Sequence, residues 1–276
     1  MNGILLINKA AGMTSHDVVF KLRKLLNTKK IGHTGTLDPD ATGVLVVLVG
    51  RACKLLPFLE DTDKEYIAQL KLGEATDTED IWGQCVETKE ITPIQDFAGL
   101  LKEFEGKQKQ LPPMVSSIKV NGKKLYEYAR NGEAVERPLR AIEIYETEVL
   151  DADTLRFRVA CSSGTYIRSL CRDLAIKSGN VGCMSSLVRS KVGRFTLAQC
   201  VSLEDVAQGN YTLLPMIEAL SHLPFITPAV EADIRNGKRV KLACDEAQVV
   251  MVKNNDVLAV YEREKENVYR CVRGLW

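Results

Sequence analysis

With 276 residues, 45% of them hydrophobic and 26% charged, the chain has the balance of a globular protein. It is long enough for one large domain, or a medium domain with a small one, which excludes a disordered tail, a collagen and a membrane channel. Net charge is only +1, yet residues 1–60, 107–140 and 161–200 together carry +14 and the remainder carries −13. Basic stretches converging on one face would grip phosphates while the protein stays nearly neutral; the plainer alternative is a set of ordinary solvated helix faces. The longest apolar run, Val44 to Val49, is strand-length, so no membrane partner is expected. The N-terminus Met1-Asn2-Gly3-Ile4 lacks the basic region and apolar core of a secretory signal. Eight scattered cysteines without a CxxC pair, and only three histidines, argue against structural zinc. They fit free thiols in a reducing cytoplasm, with no metal and no disulfide scaffold expected.

Taken in chain order, Ile4 to Ile7 reads as a short buried strand. Ser15 stands where an N-cap belongs, ahead of Val18, Leu22, Leu25 and Leu26 at helical spacing. Residues 27–42 are polar and glycine-rich, hence a loop, and Val44 to Val49 reads as a buried strand. Tyr66, Ala68, Leu70 and Leu72 alternate as in a half-buried strand. Thr92-Pro93 predicts the opening of a helix running to about Glu105. Ser117 to Val120 reads as a strand entering an Asn121-Gly122 turn, followed by a helix over Lys123 to Arg130. Two strands are predicted over 141–149 and 154–160, and a helix from Tyr166 to Lys177. After about residue 222 the composition shifts, with a short helix over Val230 to Asn236 and short strands at 249–252, 257–261 and 268–272. Strands mixed with helices predict an α+β (mixed α/β) body over 1–222 and a small β-rich module over 223–276.

The segment Gly32-His33-Thr34-Gly35-Thr36-Leu37-Asp38-Pro39-Asp40-Ala41-Thr42-Gly43 carries the strongest chemical signal. Three glycines, a proline and two aspartates make a tight exposed turn ahead of a buried strand. Alone, Asp38 before Pro39 is a turn former. A carboxylate on a loop anchored by a strand is also where catalytic groups sit.

Read whole, this segment resembles the catalytic motif of the pseudouridine synthases, in the branch acting on position 55 of bacterial tRNA. Leu5-Leu6-Ile7-Asn8-Lys9-Ala10-Ala11-Gly12-Met13-Thr14-Ser15 resembles the family's N-terminal block, with Ala10 where proline is usual. Lys64-Glu65-Tyr66 with Thr76-Asp77-Thr78-Glu79-Asp80 resembles a second block. Pro112-Pro113-Met114-Val115-Ser116-Ser117-Ile118-Lys119-Val120-Asn121-Gly122 resembles a third, with Val115 where an aromatic is common. Cys161-Ser162-Ser163-Gly164-Thr165-Tyr166-Ile167-Arg168 resembles a fourth, and the blocks keep the family's order.

The resemblance implies a mixed, largely antiparallel sheet flanked by helices, with a small PUA-like C-terminal domain. It implies a tRNA pseudouridine synthase acting on the T-arm as a cytoplasmic monomer, with no cofactor and no obligate protein partner. Asp38 would be the catalytic carboxylate, Arg168 its charged partner, and Tyr66 and Tyr166 the lining of the uracil pocket. Tyr66 would also relay the C5 proton. His33 would contact RNA near the extruded nucleotide, Leu187 would belong to the pocket, and Lys9 would contact phosphate or buttress the Asp38 loop. Lys119, Lys123, Lys124, Arg130, Arg189, Lys191 and Arg194 would face the RNA backbone. A non-catalytic RNA-binding protein on the same scaffold is the alternative, and the presence of Asp38, Tyr66 and Arg168 weighs against it. A synthase working inside a protein–RNA particle is a third reading, weakened by the lack of basic tails.

The charge pattern has a direct test. If the basic stretches meet RNA, the logarithm of tRNA affinity should fall with log salt by about 0.7–0.9 for each phosphate neutralised. A filter-binding titration across salt that gives a flat line would mark the basic stretches as solvated faces.

Overall fold

The computed structural model describes residues 1–59 and 62–276. The chain opens with β1 (Gly3–Lys9), α1 (Ser15–Leu25), β2 (Ile31–His33) and β3 (Thr42–Val49). Next come β4 (Lys64–Leu72), β5 (Glu74–Thr76), β6 (Cys85–Thr88), α2 (Phe97–Lys102) and β7 (Gly106–Gln110). A small hairpin of β8 (Lys119–Val120) and β9 (Lys123–Lys124) leads into α3 (Leu125–Arg130). Then follow β10 (Arg140–Asp151), β11 (Arg156–Cys161), α4 (Ile167–Lys177), β12 (Gly182–Val192) and β13 (Phe195–Thr196). After α5 (Leu203–Ala207) and α6 (Met216–Ala219) the chain ends in β14 (Phe225–Ile226), α7 (Glu231–Arg235), β15 (Val240–Lys241), β16 (Gln248–Lys253), β17 (Asp256–Lys265) and β18 (Val268–Gly274). The described residues form two compact units, one of residues 1–39, 44–59 and 198–276, the other of residues 40–43 and 62–197.

In the first unit β2 pairs antiparallel with β3, Ile31 opposite Val49 and His33 opposite Val47. The 27–42 segment, expected as loop throughout, thus holds a three-residue strand. Three residues are too short for a visible alternation. Helix α1 buries Val18, Val19 and Leu22 against Leu5, Ile7, Leu45, Val47 and Val49. Its N-cap is Thr14, not Ser15. Asp17 N donates to Thr14 Oγ1 (3.0 Å) while Asp17 Oδ2 accepts from Thr14 N (2.8 Å), a reciprocal cap that satisfies two end donors. Residues 223–276 form the expected β-rich module, a five-stranded sheet in the order β14-β16-β17-β18-β15. It has its own core of Ile234, Val249, Met251, Leu258, Tyr261 and Tyr269. Both tyrosine hydroxyls donate to carbonyls, Tyr261 to Lys238 O (3.0 Å) and Tyr269 to Glu246 O (2.7 Å), so their burial leaves no orphan. An Arg51–Asp256 ion pair at 3.2 Å ties this module to residues 44–59 within the same unit.

The second unit is a sheet ordered β12-β4-β11-β10-β7, antiparallel at each step. Thr42 and Gly43 add a parallel step, opposite Val188 and Arg189. On β4, Tyr66 lies opposite Val159 of β11 and Arg189 of β12, and Ala68 lies opposite Phe157 and Leu187. Residues directly opposite share a face. That face also buries Leu70, which a Cβ on Gly182 would meet together with Ala175 of α4, so α4 covers it. Phe157 meets Phe97 of α2 edge to face at 5.9 Å.

Helix α2 is shorter than the predicted span from Pro93 to Glu105. The Asn180 side chain grips the backbone of Thr92 from both sides, accepting from its N (2.8 Å) and donating to its O (3.0 Å). Asp96 then caps the helix through Gly99 N (2.8 Å), and the chain turns helical only at Phe97.

Gly43 sits at φ +108°, and a Cβ there would stand 2.8 Å from Arg189 N. Gly43→Ala should therefore lose at least about 1–3 kcal/mol through backbone strain alone. A lowered urea midpoint with unchanged slope is the expected signature.

Candidate active site

The turn bearing Asp38 is fastened on both sides of the carboxylate. On one side the buried Ser15 hydroxyl accepts from Leu37 N (2.9 Å) and donates to Leu37 O (3.1 Å). On the other, Lys9 Nζ donates to Pro39 O (2.7 Å), Met13 O (2.8 Å) and Ala10 O (3.0 Å). Leu37 is buried, and Asp38 between these anchors is half-buried. A side chain held this way is aimed by backbone constraint, so little ordering remains for a substrate to impose. Upstream, Thr34 N donates to Val46 O (3.1 Å), extending the β2–β3 pairing to the start of the turn, with His33 half-buried.

Lys9, expected either at a phosphate or behind the Asp38 loop, lies against that loop, bonded to Pro39 O. Its surface is 0% exposed, and an ammonium sealed from water needs acceptors inside the protein. Three carbonyls match its three N–H bonds.

In the second unit the expected pocket residues stand on β4, β12 and the head of α4. Tyr66 is half-buried on β4, and Leu187, 7% exposed, lies opposite its neighbour Ala68. Tyr166 is the N-cap residue of α4 and is half-buried. Its backbone is clamped by the buried Gln110 amide, which accepts from Tyr166 N (2.8 Å) and donates to Tyr166 O (3.0 Å). Arg168 is 5% exposed. Its Nη1 donates to Thr78 O (2.9 Å) and its Nη2 to Val115 O (3.0 Å), and Asp80 lies 3.6 Å from Nη1. The planar fork joins three segments at once, which a lysine cannot do. Beneath it Glu79 accepts from Ser169 Oγ (2.7 Å), bonds Arg172, and lies 3.6 Å from Arg137.

The phosphate-facing pool divides. Lys119, Arg130, Lys191 and Arg194 are exposed as expected. Lys123 is engaged with Glu133 at 2.7 Å and lies over the Tyr128 ring, and Lys124 lies over the Tyr126 ring. Arg189 differs from the others: it is 2% exposed, opposite Tyr66 on β4, so it is not among the exposed cations. Sequence reasoning gave Gln110 and Glu79 no role. Gln110 ends a strand of glycine, lysine and glutamine with no apolar signal, and Glu79 sat unremarked inside a recognised block.

All eight cysteines are free. Burial pushes the Cys161 thiol up to about 12 and the Cys183 thiol up to about 11, so neither offers a thiolate near neutral pH. Among the described residues no group of histidine, cysteine, aspartate and glutamate has the arrangement of a metal site. No helix among them is long and apolar enough to cross a membrane.

The fold is shared with chains of solved assemblies. Of this chain 99% superposes on 85% of a chain in a Cbf5–Nop10–Gar1 complex, with TM-score 0.74 and 24% identity. An H/ACA ribonucleoprotein bound to a substrate RNA containing 2′-deoxyuridine gives TM-score 0.75 over the same shares, also at 24% identity. These place the molecule among proteins with the pseudouridine synthase fold. Sequence narrows the class. Residues 23–167 match the TruB family pseudouridylate synthase (N terminal domain), and residues 168–220 match the tRNA pseudouridylate synthase B C-terminal domain. The tRNA pseudouridine synthase B of Oceanobacillus iheyensis is 42% identical over 97% of this chain and 94% of its own. That of Bacillus thuringiensis (strain Al Hakam) is 44% identical over the same shares. The chain belongs to the TruB family of pseudouridylate synthases.

Lys9→Met separates the buttress from a phosphate contact. It keeps the length of the side chain but orphans three carbonyls, so stability should drop by about 1–3 kcal/mol. The single-turnover rate should fall while RNA affinity and its salt slope stay put; a phosphate contact would give the reverse.

Proposed function

We propose that the protein converts the T-loop uridine at position 55 of tRNA to pseudouridine, with Asp38 as the catalytic carboxylate. The observation that carries the reading is the Asp38 turn, a half-buried carboxylate fastened at Leu37 and Pro39 in a TruB-family chain. The N1–C1′ bond of the uridine breaks and a C5–C1′ bond forms. The proton lost from C5 goes to solvent, N1 regains one, and the product is an isomer of the substrate. A carboxylate serves this chemistry either by attacking C1′ or by helping uracil depart to leave a glycal. No redox change occurs, so the balance calls for no cofactor.

The target base lies within a folded loop and must be extruded to be reached. Tyr66, Tyr166 and Leu187 offer flat and apolar surface for the uracil, with the Tyr66 hydroxyl as the relay for the C5 proton. The exposed Lys119, Arg130, Lys191 and Arg194 supply backbone contacts, and His33 fills space near the vacated stack. Residues 223–276 act as an RNA-affinity element. The enzyme works in the cytoplasm as a monomer on the T-arm.

Tritium release from a tRNA transcript labelled at uridine C5 reads this reaction directly. Asp38→Asn should abolish release, because the amide is nearly isosteric but a far poorer nucleophile and base. Affinity should survive, since it resides in phosphate contacts and stacking. Asparagine tolerates the same turn geometries, so a turn-forming role alone predicts a nearly normal rate. A normal single-turnover rate in Asp38→Asn would sink the reading.

A further inference from the structure

Trp82 lies in the turn between β5 and β6 with 48% of its surface exposed, beside Ile81 at 40%. Large apolar side chains clustered at the surface mark contact sites more often than accidents. The turn beneath them is stiff. Asp77 N donates to Gln84 O (3.1 Å), Gln84 N to Asp77 Oδ1 (2.8 Å), and Ile81 N to Met184 O on β12 (3.0 Å). The indole is therefore held out by structure, not left on a loose end.

Its position is tied to the arginine described above. Trp82 N donates to Asp80 Oδ1 (3.2 Å), and Oδ2 of the same carboxylate lies 3.6 Å from Arg168 Nη1. One carboxylate group separates the backbone of Trp82 from Arg168. The turn is rich in acid, which by itself would repel a polyanion. Two of those carboxylates are buried and engaged inward, Glu79 with Ser169 and Arg172 and Asp80 with Thr78, Trp82 and Arg168, while the exposed Asp77 accepts from Gln84 N. Outward, the turn presents the apolar plane of Trp82 with Ile81, and Asp77 is the one exposed carboxylate of the three.

We propose that Trp82 is a stacking platform for an unpaired RNA base beside the target uridine, and so a substrate-binding residue of this enzyme. The proposal rests on the reading that the protein extrudes a uridine from a folded loop. Extrusion leaves neighbouring bases without a stacking partner, and an indole at the edge of the site replaces it. Every base has a π-face, so such a platform adds affinity with little sequence preference.

The chain has two tryptophans, Trp82 and Trp276. In a Trp276→Phe background, emission reports Trp82 alone, and titration with an unmodified tRNA transcript should quench it saturably. Trp82→Ala should weaken transcript binding by about 5- to 150-fold. The single-turnover rate at saturating enzyme should be unchanged, and Trp82→Phe should keep most of the affinity. A set of transcripts each carrying one abasic site in the T-loop should include one that Trp82→Ala and its parent bind equally. Flat emission and parental affinity in Trp82→Ala, with the transcript still bound and isomerised, would overturn the proposal. So would normal affinity with a slowed rate, which would mean that the residue acts by positioning Asp80 and Arg168. A parent protein that neither binds nor isomerises the transcript would instead overturn the functional reading on which the proposal stands.

Discussion

An ammonium sealed from water must find acceptors, and Lys9 finds three carbonyls, at Ala10, Met13 and Pro39. Local order in the first unit follows from that requirement. The bonds to Ala10 and Met13 draw the chain after β1 around the lysine head, just ahead of the Thr14 cap that starts α1. The bond to Pro39 reaches 30 residues along the chain and fixes the far side of the Asp38 turn. Ser15, released from capping because Thr14 does it, uses its hydroxyl on Leu37. Placement of one carboxylate thus depends on a buried charge and a buried hydroxyl, each bonded to backbone on the turn. Such sites are strict: a half-satisfied buried polar group is worse than none.

The second unit solves a similar problem with planar side chains. Gln110 matches both backbone groups of Tyr166, Asn180 matches both of Thr92, and Arg168 spans Thr78, Val115 and Asp80. Each fork converts an irregular segment into a fixed one without a regular element. That is how the 76–84 turn, the 112–116 segment and the head of α4 hold a shared geometry around Arg168. Irregular backbone at a site is affordable only when its polar groups are accounted for in this way.

Legibility followed the physics of each element. Strands with strong burial contrast, β1, β3 and β4, were readable because alternation or an apolar run states which face is inside. Strand β12 escaped notice. Its sequence mixes serine, arginine and lysine with apolar residues, and bulges between Met184 and Ser186 and between Arg189 and Lys191 break the two-residue period. The buried Arg189 was placed among phosphate contacts for the same reason: no pattern announced that its strand is covered. Asp38, Tyr66, Tyr166 and Arg168 are singled out through family resemblance, not from spacing. The partners that hold Tyr166 and Arg168, namely Gln110 and the carbonyls of Thr78 and Val115, are set by tertiary contact and leave no local signature.

The charge pattern takes on a different meaning once partners are assigned. Much of the acidic stretch after residue 61 is engaged within the second unit. Glu65 meets Arg158, which also gathers Glu146 and Glu148, Glu105 meets Lys102 and Thr147, and Glu79 meets Arg172. Several basic residues are likewise withdrawn: Lys9, Arg168 and Arg189 are buried, and Lys123 is paired. A formal +14 in the basic stretches therefore overstates what the surface presents to a polyanion. Affinity for RNA in a protein of this composition cannot rest on net charge. On the proposed function it comes from a few exposed cations and from flat side chains that stack, whose contribution salt does not screen.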